Sequence, residues 1–471
     1  MKWLVRGALL VLLSFANLNL IWSPDVLPNT LFAWTLVRSG NVDYDEFATV
    51  DPTDERPDRI DRTAYFFRGC AKVAPGVETF TTTPRSAGGP PPPLPGEHVC
   101  SIFPPGVAIL ALPVLVPAVL TGVSPSDATA LLLLGHLAAS ILEAIVGLLL
   151  WSVFRRFVSA RWSVGLVLLY LLATSVRTVA SQALWQHAGV HVAIAAALWL
   201  VLDERPASAG RAFFAGLALG FGTVARQTTA IALAGIVSRR TVIRSVAGFG
   251  IGIIPLLVYN AFAFGNAFEQ GYGTKPFDTP ILTGAYGLLL SPSRGLFVYA
   301  PYLAFAAAAL GLAWRASGEV AARLRALGIA WLATLLLYAT YTEWWGGRVF
   351  GARFLDDLAP VLFAALAWGI GRGLLARSLW RWLFWVTAAW SLLLFNGAAL
   401  VYDQKWDTDP VNVNFHPERL FDWSDPQWLA VLRAVPNGGA RAVVAGVLSL
   451  VILTLLLRLE GLWPRRLSSK A

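Results

Sequence analysis

Residues 102–120 read IFPPGVAILALPVLVPAVL, an apolar run broken by Pro104, Pro105, Pro113 and Pro117. Whether this run crosses a bilayer decides how the whole chain is threaded. If it does not cross, the loops with Arg155/Arg156/Arg161, Arg205/Arg211, Arg239/Arg240/Arg244, Arg315/Arg323/Arg325 and Arg372/Arg377/Arg381, and the C-terminal Arg458/Arg465/Arg466/Lys470, share the side of Lys2 and Arg6. If it crosses, all of them fall opposite. Cytoplasmic loops gather Lys and Arg, so the first threading is favoured. Residues 102–120 are therefore expected to lie at the outer membrane surface or to re-enter it.

Composition makes a membrane the natural setting. Of 471 residues, 56% are hydrophobic and 14% charged, with 20 Trp and 26 Phe. Soluble domains carry about 25% charged residues, and so few charges cannot screen this much apolar surface. A cytosolic enzyme, a nucleic-acid binder and a disordered regulator are excluded. The net charge of +9 is scattered between apolar segments, a topology signal and no nucleic-acid patch. Arg outnumbers Lys 32 to 5, which points to a GC-rich bacterium.

The expected fold is an all-α polytopic membrane protein of about twelve transmembrane helices (11–13), forming one integral unit over 1–471. Apolar runs place spans at 3–22, 128–154, 163–180, 185–202, 211–225, 227–238, 244–264, 295–314, 326–341, 355–374, 382–401 and 440–458. The pair 211–238 is short for two crossings, and a break or tilt around Arg226 is expected. The first span lacks a small-residue cleavage site and reads as an uncleaved anchor. Both termini then face the cytoplasm of the bacterial inner membrane. A long first loop, 23–127, faces outside with the loops 265–294, 342–354 and 402–438. Any chemistry belongs on that outer side.

Within the first loop, residues 88–95 (GGPPPPLP) form a polyproline-type linker flanked by Cys70 and Cys100. Outside the cytoplasm these two are expected to pair, the alternative being two unpaired thiols. No Walker, Rossmann or Cys/His metal spacing is present.

Several residues could carry chemistry. Asp25 follows the first span, where a carboxylate can act as a general base on a substrate delivered by the lipid. Its structural alternative is the N-cap of an amphipathic surface helix over 26–38. Asp43, Asp45 and Glu46 are either a second acidic centre, able to hold a divalent cation, or a solvated loop. Lys275, Arg294, Arg348 and Arg353 lie in outer loops and suit a lipid phosphate; the alternative is snorkelling to headgroups. Trp344 and Trp345 could stack on a sugar or sit in the interfacial aromatic belt. Trp185, His187, His191 and Arg226 lie at membrane depth, where polar groups line cavities. His187 and His191 share a helix face, but a third metal ligand is not evident.

Taken in order, these pieces resemble the GT-C superfamily of integral membrane glycosyltransferases, which includes protein O-mannosyltransferases and aminoarabinose transferases. The resemblance rests on Ser23-Pro24-Asp25 after the first span, the Phe103-Pro104-Pro105-Gly106 surface helix, and Trp344-Trp345-Gly346-Gly347-Arg348 through Arg353-Phe354. It implies transfer of a sugar from a polyprenyl-phosphate donor to a lipid, glycan or protein acceptor on the outer face. Asp25 would be the catalytic carboxylate, with inversion at the anomeric carbon. The family often places an Asp/Glu pair here, whereas Val26 follows Asp25, so Asp45 and Glu46 stay open as alternatives. A transporter or lipid-linked sugar flippase is the rival of another class; an O-antigen polymerase or ligase and a non-catalytic scaffold are others.

Overall fold

The computed structural model describes residues 2–49, 60–61, 64–73, 93, 97–273 and 276–462. They are mostly helical. The linker at 88–95, apart from Pro93, and Lys275 lie outside the described residues. In chain order the elements begin with α1 (Lys2–Phe15) and α2 (Val26–Trp34), then four short strands, β1 (Ala48–Thr49), β2 (Ile60–Asp61), β3 (Phe67–Val73) and β4 (Glu97–Ser101). Next come α3 (Gly106–Leu120), α4 (Ala128–Phe154), α5 (Ala160–Leu172), α6 (Gln186–Val201), α7 (Ala209–Ala225), α8 (Leu233–Ile236), α9 (Val242–Gly252) and α10 (Ile254–Phe264). The chain continues through α11 (Ile281–Leu290), α12 (Leu296–Tyr299), α13 (Ala304–Ala313), α14 (Glu319–Thr340), α15 (Arg353–Asp356) and α16 (Ala359–Gly371). It closes with α17 (Ser378–Val401), α18 (Lys405–Thr408), α19 (Gln427–Ala434) and α20 (Gly439–Leu459).

Among the described residues, five helical stretches are long and apolar enough to cross a membrane: Ala128–Phe154, Val242–Phe264, Glu319–Thr340, Ser378–Val401 and Gly439–Leu459. Eight further apolar helices are shorter. Breaks account for much of the shortness. The run expected at 163–180 stops at Leu172, because Thr174 turns the chain. Its hydroxyl donates to Tyr170 O (2.7 Å) and accepts from Val176 N–H (3.1 Å). That turn carries Arg177 inward, where it caps the last carbonyls of α1 at Leu13 and Ser14. At Arg226 the backbone becomes extended, which ends α7 and starts a 3₁₀ segment, Gln227–Ala232.

Two ends of the helix bundle can be distinguished by what their loops touch. At one end the Arg-bearing turns meet: Arg156 donates to Leu202 O (2.7 Å) and Trp199 O (2.6 Å), Arg372 pairs with Glu204 (3.9 Å), and Arg323 donates to Ile236 O (2.7 Å). Arg6 of α1 joins this end, lying over the Trp151 ring and pairing with Glu460 just after α20 (2.7 Å). At the other end Gln404 donates to Trp22 O (2.6 Å), Thr342 N–H to Pro276 O (3.2 Å), and Tyr259 to Ser101 O (2.8 Å).

Both ends of α3 sit among residues of this second end. Tyr259 holds Ser101 just before it, and Trp34 and Arg38 both donate to Val123 O just after it (3.2 Å each). Gly106 opens α3 against the Arg226 break; a Cβ there would overlap the Val224–Ala225 backbone. The helix after Asp25 is not amphipathic, as was expected for 26–38. Eight of the nine residues of α2 are buried, and a π-type turn, Thr35–Ser39, follows them.

The 23–127 loop contains more than surface helices. Strand β3 pairs antiparallel with β4, with Arg68 opposite Cys100, and β1 pairs parallel with β2. Cys70 and Cys100 form a disulfide with Cα atoms 5.4 Å apart. The bridge closes a loop of 30 residues, so loop-closure entropy makes it worth about 3–4 kcal/mol. Changing both cysteines to Ser is expected to lower the thermal midpoint, and reductant should then leave that variant's melting curve unaltered.

Candidate active site

Asp25 does not use its side chain as a helix cap. The residue holds the N-cap position of α2, but its carboxylate makes no capping bond. It turns instead to Arg353 of α15 (3.3 Å) and accepts from the Tyr65 hydroxyl. Both charged groups are mostly covered, at 16% and 11% exposure, and each keeps a small accessible edge. The pair thus lies where a buried polar cluster meets an accessible surface.

Arg353 is held from behind. Its Nη1 donates to Gly346 O (3.1 Å) and its Nε to His187 Nε2 (3.0 Å), with Trp185 packed near the guanidinium. Gly346 and Gly347 both adopt left-handed backbone angles (φ 74° and 79°), which glycine takes without strain. That turn aims the Gly346 carbonyl at Arg353. His187 lies one residue into α6 and is fully buried. Its Nδ1 faces Asp357 Oδ1 at 2.6 Å. Arg226, at the end of α7, faces Asp357 Oδ2 (3.3 Å), donates to the Tyr338 hydroxyl (3.0 Å), and lies over the Phe354 ring. Tyr338 in turn stacks on Phe354 with centroids 4.4 Å apart.

Hydrogen-bond chemistry fixes the state of His187. Arg353 Nε–H donates to Nε2, and Arg226 Nη1 also reaches that nitrogen (3.2 Å). A guanidinium cannot accept, so Nε2 is bare and the ring proton sits on Nδ1, donated to Asp357. With His187 neutral, the charges of Asp25, Arg353, Arg226 and Asp357 sum to zero. A balanced cluster of this kind is how charges are tolerated at depth.

His191 belongs to a separate, closed set below. Its Nδ1 faces Glu143 Oε1 (2.7 Å) and its Nε2 faces Asp356 O (2.8 Å), while Tyr170 donates to the other Glu143 oxygen (2.8 Å). All are buried. His191 therefore braces α6 against α4 and does not line a substrate cavity. His187 and His191 do not share a metal, because each ring faces its own carboxylate.

Arg294 also departs from expectation. It was expected to bind phosphate, but it is 1% exposed and both of its terminal nitrogens are bonded to protein, with only Nε left unpartnered. Its Nη2 meets Asp407 Oδ1 (2.7 Å) and Gly347 O (3.1 Å), and its Nη1 meets Gln427 Oε1 (2.9 Å). Gln427 and Tyr402 satisfy the remaining Asp407 contacts. Burial pushes the Asp407 carboxyl up while Arg294 pulls it back down. Trp344 and Trp345 are packing residues: Trp344 lies on Gly287 and Phe421, and Trp345 donates to Asn414 (3.2 Å). Neither is free to stack on a sugar. Arg348, half-buried, has no hydrogen bond or ion pair among the described residues.

Asp45 and Glu46 stand apart from Asp25, with no hydrogen bond or ion pair to the Asp25–Arg353 cluster among the described residues. Asp45 pairs with His98 and accepts from Val99 N–H (2.7 Å), and Ser39 donates to Glu46 (2.9 Å). They knit the π-type turn to β4. Asp43, Asp45 and His98 present one ligand atom each within 4.8 Å of one another, the set that would hold a divalent cation. His98 was not foreseen, since it lies 53 residues from Asp45.

Burial pushes the Asp43 carboxyl up, helped by Asp45, and burial likewise raises Glu46. Raised folded-state values mean the neutral acids favour the fold. That contribution is complete at acid pH and fades as pH rises through the raised values. Amide protection over 41–49, corrected for intrinsic exchange, is expected to weaken with rising pH over that window.

Asp357, Glu143, Tyr65 and Tyr338 complete the clusters and were missed in the sequence. The first two carried a readable signal, because a carboxylate inside an apolar helical run is costly and must be partnered. Tyr65 and Tyr338 carried none. Compared with known proteins, the chain matches no family model, no curated protein and no solved structure.

Proposed function

We propose that the protein is a GT-C-like glycosyltransferase of the bacterial cytoplasmic membrane, with about twelve spans and its site at the outer face. The donor is a polyprenyl-phosphate sugar and the acceptor a lipid, glycan or protein. The observation that carries this reading is the Asp25–Arg353 pair, a carboxylate and a guanidinium 3.3 Å apart at an accessible edge. The two are the minimum equipment for moving a glycosyl group off a phosphate. Threading is supported by Arg6 and Glu460 meeting at the Arg-rich end, and by α3 having both ends at the opposite one.

In the reaction, Asp25 takes the proton of an acceptor hydroxyl as its oxygen bonds to C1 of the sugar. The bond from C1 to the phosphate oxygen breaks, and the electron pair leaves with the polyprenyl phosphate. The phosphate needs no acid, only positive charge, which Arg353 supplies, with Arg348 and Lys275 as further candidates. The proton gained by Asp25 balances the charge gained by the leaving phosphate. A single base acting opposite the leaving group gives inversion at C1.

The test is transfer of radiolabel from polyprenyl-phosphate sugars in proteoliposomes, with crude envelope as acceptor. Labelled product dependent on the protein is expected. A transporter or flippase reading draws on the buried chain Arg226–Asp357–His187 and His191–Glu143, since such chains also serve coupled transport. Movement of lipid-linked sugar between leaflets without a new glycosidic bond would establish that reading and overturn ours.

A further inference from the structure

Asp357 touches neither Asp25 nor the accessible edge, yet its position controls what Arg353 can do. Arg353 can lean on His187 only while Nε2 is bare, and Nε2 is bare only while the proton is held at Nδ1 by Asp357 Oδ1 at 2.6 Å. Arg226 faces the other Asp357 oxygen at 3.3 Å and also reaches Nε2 at 3.2 Å. Arg353 therefore points at the bare ring nitrogen, while Arg226 Nη1 stands beside the ring, 3.2 Å from Nε2 and 3.4 Å from Nδ1. We propose that Asp357 and His187 form a tautomer lock, a pair of positioning residues that hold Arg353 facing the donor phosphate. This rests on the reading of Arg353 as a phosphate contact.

The lock makes an unusual demand on substitution. In Asp357→Asn the amide oxygen is drawn to Arg226, which can only donate. The amide NH₂ then faces His187 Nδ1, so the ring proton moves to Nε2. There it meets the N–H groups of Arg353 and Arg226, and Arg353 is displaced. A near-isosteric change that keeps volume and hydrogen-bonding capacity thus disables a residue that Asp357 does not touch. His187→Gln behaves differently. Its side-chain oxygen accepts from Arg353 without any tautomer to set, so the identity at 357 ceases to matter.

The experiment measures binding of a fluorescent polyprenyl monophosphate to the full-length protein in nanodiscs. Monodisperse elution serves as the check on folding. Wild type should bind, and Arg353→Gln should bind roughly tenfold to a hundredfold more weakly, as for loss of a charged hydrogen-bond partner. Asp357→Asn should match Arg353→Gln, and adding Asp357→Asn to His187→Gln should weaken binding no further than His187→Gln does alone. A purely structural role for Asp357 would make the two changes add, which would overturn the lock. If Asp357→Asn does not fold, His187→Phe against His187→Gln decides: equal binding overturns the lock, and loss confined to Phe supports it. Wild-type binding lost in Arg353→Gln but kept in Asp357→Asn would sink the lock and leave the phosphate contact standing. Binding unchanged in Arg353→Gln, or absent from wild type, would remove the phosphate reading and the lock with it.

Discussion

Asp25→Asn is expected to lower glycosyl transfer by ~10²–10⁴-fold, the range removed with a general base. The asparagine keeps the shape of the side chain and can still accept from Tyr65, so insertion and the helix start at α2 should survive. What it loses is the ability to take a proton from the acceptor. Donor binding should be little weakened, because the proposed phosphate contact is Arg353, which the neutral amide leaves free of its anionic partner. The signature is therefore a fall in kcat with KM for the donor steady or lower. Parallel Asp45→Asn and Glu46→Gln variants should retain transfer, since Asp45 binds the β4 edge and Glu46 the Ser39 hydroxyl, away from the Asp25 cluster. Full activity in Asp25→Asn would end the assignment.

Asp407→Asn is expected to cost about 3–5 kcal/mol of stability, because it strands the buried Arg294 charge. Arg294 is the hub joining the turn at Ser293, the Gly347 carbonyl, α18 and the start of α19. Uncoupling it should loosen those loops together, read as a large drop in thermal midpoint and as new protease cuts between 402 and 427. The rescue is specific: Arg294→Met combined with Asp407→Leu should regain most of the loss, since apolar replacement of a buried pair is often neutral or better. The folded fraction of either variant should bind donor as wild type does. A selective loss of donor affinity with unchanged melting would instead restore Arg294 as a phosphate ligand.

Sequence reading succeeded where the governing physics is local. Apolar runs give helices, and the interruption at Arg226 could be foreseen because a buried cation cannot continue a lipid-facing crossing without partners. The position of Asp25 at a helix start was legible for the same reason. Its role was not, because that depends on Arg353, 328 residues away, which turns the carboxylate from the helix end to the cluster. Arg294 and Arg353 look alike in the sequence, each in a Gly-containing outer segment. What separates them is a partner: Asp407 encloses the first, at 1% exposure, and Asp25 leaves the second 11% exposed. Likewise His187 and His191 share one helix face but serve different carboxylates. Pairings across hundreds of residues are set by how the bundle closes, and nothing in the flanking residues encodes them.

The contact between Arg6 and Glu460 has a consequence for synthesis. The two residues are 454 positions apart, so α1 gains the counter-ion of its buried guanidinium only after α20 has been made. Until then Arg6 has only the Trp3 and Trp151 rings for company. A chain that stops short of α20 is expected to hold α1 less firmly, because the buried Arg6 then lacks Glu460.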